Sequence, residues 1–331
     1  MIIVRTPLRI SYFGGGTDFP EWYKNFYERG MTLCAAIDKY CYINIRYLND
    51  YYDHKYRIRY YKNEEINRID LIKHPCVREV LKKYGKSNLG YEIIHNADIP
   101  ARTGLGSSSA FTVSLINAIH KLRKISINKT DLWHKAINLE QRILKEAVGS
   151  QDQIITTIGG FNLIKFKKNN IKIKQYPKNN ININALKDNS SLFFLGFGRD
   201  AKKIEKDKIR RLHDKKKQYF DLYKICEEAN NIISGNHFNI AEIANLLNEQ
   251  WKIKKTLSTF VSTQKINNLY DYALRRGALG GKILGAGGGG FFLFLSRNRF
   301  EKKKLISNLS KFQHINFNYD YEGSKVVYET N

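Results

Sequence analysis

The chain has 331 residues, a length that suits two packed domains better than one simple core. Hydrophobic residues make up 42 % of it, which excludes a disordered chain. The formal charge of +25 invites a nucleic-acid reading, but the basic residues are scattered. Their densest cluster, Lys202 to Lys217, alternates with apolar residues and reads as the wet side of a helix. Cys34, Cys41, Cys76 and Cys226 show neither a C-x-x-C pair nor a zinc spacing with histidine, so they read as buried free thiols. No apolar run reaches membrane-spanning length, and the first residues do not resemble a signal peptide. The expectation is a soluble, cytoplasmic protein without a nucleic-acid or membrane partner; a homodimer is left open.

Residues Ile2 to Phe13 are rich in β-branched and aromatic side chains and predict one or two strands broken near Pro7. Gly14 to Asp18 forms a loop. Strands are predicted over Leu33–Tyr47 and Tyr56–Tyr61, a helix over Lys73–Tyr84, and a strand over Tyr91–Asp98 that Pro100 ends. After a glycine–serine loop at Gly104, a helix that is apolar almost all round is expected to be buried. Asp131 is a candidate N-cap for a second helix running to about Ala147. A loop at Gly149 to Asp152, a short helix and the strand Phe161–Phe166 follow. The polar stretch Lys167 to Asn184, with room for a hairpin, marks the boundary between domains at 1–180 and 181–331. Beyond it come a strand over Ser191–Phe197, helices over Lys202–Ser234, Ile240–Leu257 and Gln264–Arg276, a strand from Lys282 to Gly285, and another over Phe291–Leu295. Strands and helices alternate in both halves, which gives an α+β or α/β class.

Five places carry chemistry. Gly104-Leu105-Gly106-Ser107-Ser108-Ser109 sits between a strand and a helix; its glycines let the backbone approach an anion, and the N–H groups of the helix start favour phosphate. It lacks the lysine of a P-loop. Glu140 lies on an apolar helix face between Ala136 and Leu144, as a magnesium ligand or one half of an internal salt bridge. In Gly149-Ser150-Gln151-Asp152-Gln153, Asp152 is either a helix cap or a group that receives a substrate proton. Arg9 with Gly14-Gly15-Gly16-Thr17-Asp18 suits recognition of a polyhydroxyl compound, or is a plain hairpin turn. Gly285-Ala286-Gly287-Gly288-Gly289-Gly290, between apolar strands, calls for close approach by a nucleotide or by the Gly104 loop. A dinucleotide-dependent oxidoreductase is the competing class, but no strand–G-x-G-x-x-G–helix unit opens the chain.

Taken together and in this order, these elements resemble the GHMP kinase family over essentially the whole chain. Pro7-Leu8-Arg9 leading to Thr17-Asp18, Pro100 leading to Gly104-Leu105-Gly106-Ser107-Ser108, and Lys282-x-x-Gly285-Ala286-Gly287 carry the resemblance. It implies an α+β fold of two domains, an N-terminal one like domain 2 of ribosomal protein S5 and a ferredoxin-like C-terminal one. It implies an ATP-dependent kinase using Mg²⁺, with Asp152 and Arg9 catalytic. Gly104, Leu105, Gly106, Ser107, Ser108, Ser109, Gly285 and Gly287 would bind the ATP phosphates, and Ser108 and Glu140 the metal. Gly15, Gly16, Thr17, Asp18 and Gln151 would bind the substrate. Arg9 to Pro20, Gly149 to Gln153 and Gly159-Gly160-Phe161-Asn162 are most similar to members acting on an anomeric hydroxyl, foremost that of a heptose 7-phosphate. L-Fucokinase-like members acting on a free sugar are the alternative. Galactokinase-like members carry His-Thr-Asp where this chain has Gly16-Thr17-Asp18, which argues against galactose. A phosphate already on the sugar would need a second anion site, for which Arg102, Arg199, Lys254 and Lys255 are candidates.

Overall fold

The computed structural model describes residues 1–26, 29–196 and 201–330. Strands β1 (Ile2–Phe13), β2 (Arg29–Leu48), β3 (Tyr56–Arg59), β4 (Asn63–Ile66), β5 (Gly90–Ala97), β6 (Phe161–Lys167) and β7 (Asn170–Tyr176) build one mixed sheet. Strands β8 (Ser190–Phe194), β9 (Ala278–Ile283), β10 (Phe291–Ser296) and β11 (Gln313–Ile315) build a second, antiparallel sheet in the order β11-β8-β10-β9. That order, with helices between β8 and β9 and between β10 and β11, is the ferredoxin-like arrangement. The last strand, β12 (Lys325–Glu329), returns to the first sheet and pairs with β1.

The helices are α1 (Pro20–Tyr23), α2 (Pro75–Tyr84), α3 (Ser107–Leu122), α4 (Lys129–Ile137), α5 (Gln151–Ile158), α6 (Ile181–Asn189), α7 (Ala201–Arg210), α8 (Lys216–Ser234), α9 (Ile240–Thr256), α10 (Gln264–Leu274) and α11 (Arg299–Asn308). Helices α3, α5, α8 and α9 all pack against β1. The last eight residues of β1 are consequently buried without alternation, as for a strand covered on both faces. Helix α3 buries Ala110, Phe111, Val113, Leu115, Ile116, Ala118 and Ile119, which is why its apolar residues run round the whole helix.

Several boundaries differ from the sequence reading. Strand β1 is unbroken: Pro7 is accommodated at a register shift against β2 between Pro7 and Leu8. Helix α4 is capped by Asn128, whose side chain accepts from the Asp131 N–H at 2.8 Å, so Asp131 lies in the first turn. The helix does not run on to Ala147; it passes into a π-helical stretch, Asn138–Ile143. The single helix expected over Lys202–Ser234 is two, α7 and α8. Asp207 near the end of α7 receives Arg210, Arg211 and the Ser258 hydroxyl, which pins that end against the segment after α9. Strand β9 begins at Ala278, ahead of Lys282, and includes two glycines. A Cβ on Gly280 would stand 2.3 Å from Ala244 O, and one on Gly281 2.4 Å from Phe294 Cδ1, so these glycines let α9 and β10 close on the strand. The hairpin after Lys167 is present as β6–β7. All four cysteines are buried and free. No helix among the described residues is long and apolar enough to cross a membrane.

Candidate active site

Arg9 near the end of β1 and Asp152 in the first turn of α5 meet across 143 residues of chain. Arg9 Nε donates to Asp152 Oδ1 at 2.6 Å and Nη2 to Oδ2 at 2.5 Å, a two-pronged pair. The third guanidinium nitrogen, Nη1, donates to Gly104 O at 2.6 Å. The Arg9 side chain is 6 % exposed and that of Asp152 22 %, so the carboxylate is the more open partner and the arginine the buried one. Burial opposes the Arg9 charge, yet Asp152 outweighs it and holds the guanidinium above its ordinary pKa.

The phosphate-loop candidate lies directly on this pair. Gly106 caps α3 in the left-handed region, with φ +77°. A Cβ on it would come within 2.9 Å of Arg9 Cγ and 3.4 Å of Asp152 Oδ2. The residues that follow, Ser107, Ser108 and Ser109, form the first turn of α3, where backbone N–H groups lack helical acceptors. The second glycine loop closes over the first. A Cβ on Gly285, whose φ is +64°, would lie 2.7 Å from Gly104 Cα, and one on Gly290 2.2 Å from Thr103 O. Gly287 packs in the same way on Val261. Leu105 is buried, and its carbonyl accepts from the Arg9 N–H at 2.9 Å.

Glu140, 1 % exposed on the π-helical stretch, is the buried carboxylate of the site. Its Oε2 accepts from Ser109 Oγ at 2.9 Å and from Gln153 Nε2. Its Oε1 has no hydrogen-bond partner among the described residues. Burial pushes its pKa up to about 7 against the pull of Thr112, Gln153 and Ser109. Among the described residues no cation pairs with Glu140, as the salt-bridge alternative required, and a buried carboxylate oxygen with an open lone pair fits a hard divalent cation. Ser108 is exposed, and the hydroxyl bonded to Glu140 is that of Ser109. No cluster of three or more His, Cys, Asp and Glu ligands forms among the described residues. A cation at Glu140 would therefore need oxygens from water and phosphate.

Asp18 is 2 % exposed. Its Oδ1 accepts from the Gly16 N–H at 2.9 Å and its Oδ2 from the Gln151 N–H at 3.1 Å. It thereby ties the loop of Gly15 and Gly16 to the start of α5. A Cβ on Gly149 would stand 1.9 Å from Asp18 Oδ2, so only glycine fits there. Burial, and then the neighbouring Asp152, push the Asp18 pKa up to about 6. Thr17 is turned inward: its hydroxyl donates to the carbonyls of Gly14 and Met31 at 2.8 Å and braces the loop. Gln151 Oε1 accepts from Ser11 Oγ at 2.9 Å.

The glycine loops, the charge pair between them and the buried carboxylate thus converge on the start of one helix. Residues 70–160 match the family described as GHMP kinases N terminal domain, and residues 227–315 match GHMP kinases C terminal. This chain belongs to the GHMP kinase family. It is accordingly a phosphotransferase with the two-domain GHMP kinase fold. It is 28 % identical to the D-glycero-alpha-D-manno-heptose 7-phosphate kinase of Campylobacter jejuni, over 98 % of each chain. It is 24 % identical to the L-fucokinase/L-fucose-1-P guanylyltransferase of Bacteroides fragilis, over 69 % of this chain and 24 % of that one. The crystal structure of a D-glycero-D-manno-heptose 1-phosphate kinase from Bacteroides thetaiotaomicron superposes with a TM-score of 0.79 over 100 % of both chains, at 20 % identity.

Of the second-anion candidates, Arg102 is exposed beside the phosphate loop. Lys254 donates to Ile283 O at 2.8 Å and Gly285 O at 2.6 Å, and so supports the second glycine loop from below. Lys255 lies over the Trp251 ring. Arg199 lies outside the described residues. The sequence placed Gln153 in the Gly149–Gln153 loop but assigned it no role, and it shares Glu140 with Ser109; Gln250 was not singled out at all. The latter receives the Gly14 N–H at 2.8 Å and donates to Tyr12 O at 2.8 Å. A polar residue on the buried face of α9, one position before Trp251, was the available signal for Gln250.

Proposed function

We propose that this protein transfers the γ-phosphoryl group of ATP to the anomeric C1 hydroxyl of D-glycero-α-D-manno-heptose 7-phosphate, giving the 1,7-bisphosphate. The observation that carries the reading is the end-to-end likeness to the Campylobacter jejuni heptose 7-phosphate kinase, which covers 98 % of both chains. The product would feed nucleotide-heptose synthesis for a bacterial surface polysaccharide in the cytoplasm.

The site geometry supports such a reaction. The N–H groups of Ser107 to Ser109 and the backbone around Gly104, Leu105, Gly285 and Gly287 would hold the nucleotide's phosphates. Ser108, Ser109 and Glu140 would hold Mg²⁺, which would neutralise charge on the nucleotide's phosphates. Asp152 would accept the proton of the C1 hydroxyl as its oxygen bonds to the γ-phosphorus and ADP departs with the bridging oxygen. An anomeric hydroxyl is more acidic than an ordinary alcohol, so a carboxylate suffices. Arg9 would fix the carboxylate's rotamer and place positive charge beside the transferring group. Gly15, Gly16, Asp18 and Gln151 would line the sugar side, with Thr17 bracing that loop.

The test is coupled ADP release with ATP and Mg²⁺ across heptose 7-phosphate, fucose, galactose and mannose. Turnover is expected with the heptose phosphate. Clear turnover with free fucose and none with the heptose phosphate would establish the fucokinase-like alternative.

A further inference from the structure

Gln153 is a buried polar residue with no part in the reaction proposed above. It is the third residue of α5, directly after Asp152, and its side chain is sealed from solvent. Successive residues on a helix point about 100° apart. Asp152 accordingly meets Arg9, while Gln153 Nε2 donates to Glu140 Oε2. One turn of α5 thus carries both the carboxylate paired with Arg9 and a donor to the buried carboxylate.

Core packing explains Gln153 poorly. Its Oε1 is buried without a hydrogen-bond partner among the described residues, a cost that an apolar side chain of similar size would not carry. Nor is it needed to dock the π-helical stretch on α5. Gln141 of that stretch donates from Nε2 to Ser150 Oγ at 3.0 Å and to Val148 O at 3.2 Å, just ahead of the helix. What Gln153 does constrain is the Glu140 carboxylate. The last torsion of a glutamate side chain is broad and roughly two-fold, so an unheld carboxylate presents either oxygen. The hydrogen bonds from Gln153 Nε2 and from Ser109 Oγ, the latter at 2.9 Å, both fall on Oε2. Oε1 is the oxygen left without a partner among the described residues.

We propose that Gln153 is a positioning residue for the cation: by holding Oε2 it keeps the carboxylate in the rotation that offers Oε1 to Mg²⁺. This role rests on the reading of Glu140 as a metal ligand. Hydrogen bonds to a ligating carboxylate are worth about 10- to 100-fold in metal affinity. Ser109 still holds Oε2 when Gln153 is replaced, so the lower end of that range applies.

The test is binding of a non-hydrolysable ATP analogue by calorimetry, once with saturating Mg²⁺ and once with EDTA. The ratio of the two Kd values measures what the metal adds to nucleotide binding. Gln153→Met keeps the length of the side chain and loses its N–H donor. In this variant the ratio is expected to shrink about tenfold, with Kd in EDTA within about twofold of wild type. A ratio unchanged in Gln153→Met but reduced in Glu140→Gln overturns the role of Gln153 and leaves Glu140 at the cation. A ratio unchanged in both removes Glu140 from the cation site, and this role with it. Equal weakening in Mg²⁺ and in EDTA marks a structural residue and also overturns the role. Should Gln153→Met fail to fold, Gln153→Asn decides, because its shorter side chain keeps the amide but withdraws it from Oε2. A reduced ratio there supports the role and an unchanged one overturns it.

Discussion

Replacing Arg9 by Met removes both hydrogen bonds to Asp152 and the one to Gly104 O. Breaking a buried ion pair from one side costs about 3–5 kcal/mol. Asp152 keeps 22 % of its side chain exposed, so the lower end applies, about 3 kcal/mol. A chain of 331 residues unfolds with an entropy of roughly 0.7 kcal/mol/K, at about 2.1 cal/mol/K per residue. The melting temperature should therefore fall by about 4 °C. Asp152→Asn leaves the more deeply buried Arg9 without its counter-charge and should cost a similar amount. The double variant loses charge on both sides, so its loss should be smaller than the sum of the singles by at least about 1.5 kcal/mol. Thermal unfolding by circular dichroism gives the three shifts. Coupled ADP release on the same preparations should show kcat reduced at least about 100-fold in Asp152→Asn. Stability losses that add to within about 0.5 kcal/mol would refute the claim that the two residues act as one unit.

Glu140→Gln should raise the Mg²⁺ concentration for half-maximal activity at least about tenfold, because a neutral amide replaces the charged oxygen facing the open position; an unchanged metal titration would remove Glu140 from the cation site. Gly285→Ala forces a side chain to φ +64° and to 2.7 Å from Gly104 Cα. It should cost about 1–2 kcal/mol in stability and raise KM for ATP more than KM for the sugar. Equal KM changes for the two substrates would contradict the placement of these loops at the nucleotide. Asp18, with a folded pKa of about 6, keeps a proton between about pH 4 and 6 that the unfolded chain has released. Its contribution to stability is present at acid pH and lost as pH rises through 6. Wild-type stability relative to Asp18→Asn should thus decline over that window. A rise there would mean that the hydrogen bonds from Gly16 and Gln151 outweigh burial.

The local features were the legible ones. Five glycines within Gly285 to Gly290 demanded a close backbone neighbour, and the structure supplies it at Gly104 and Thr103. A carboxylate on an apolar helix face pointed to Glu140, which is buried with one oxygen unmatched. Long-range ties were not legible. The link from Asp18 to the Gln151 N–H spans 133 residues, and neither end shows a periodic pattern that reports the other. Helical periodicity continues through Glu140 to Leu144, so it conceals the π-helical stretch that turns Glu140 toward Ser109. The return of β12 to β1 joins the two ends of the chain, and local composition carries no record of that pairing.

The central claim is transfer to the anomeric oxygen. Phosphorus NMR of the reaction with D-glycero-D-manno-heptose 7-phosphate, ATP and Mg²⁺ tests it directly. The account predicts one new phosphomonoester signal coupled to the anomeric proton, growing in step with ADP while the 7-phosphate signal persists. A new phosphate coupled to any other sugar proton, or ADP released without a sugar bisphosphate, would contradict it.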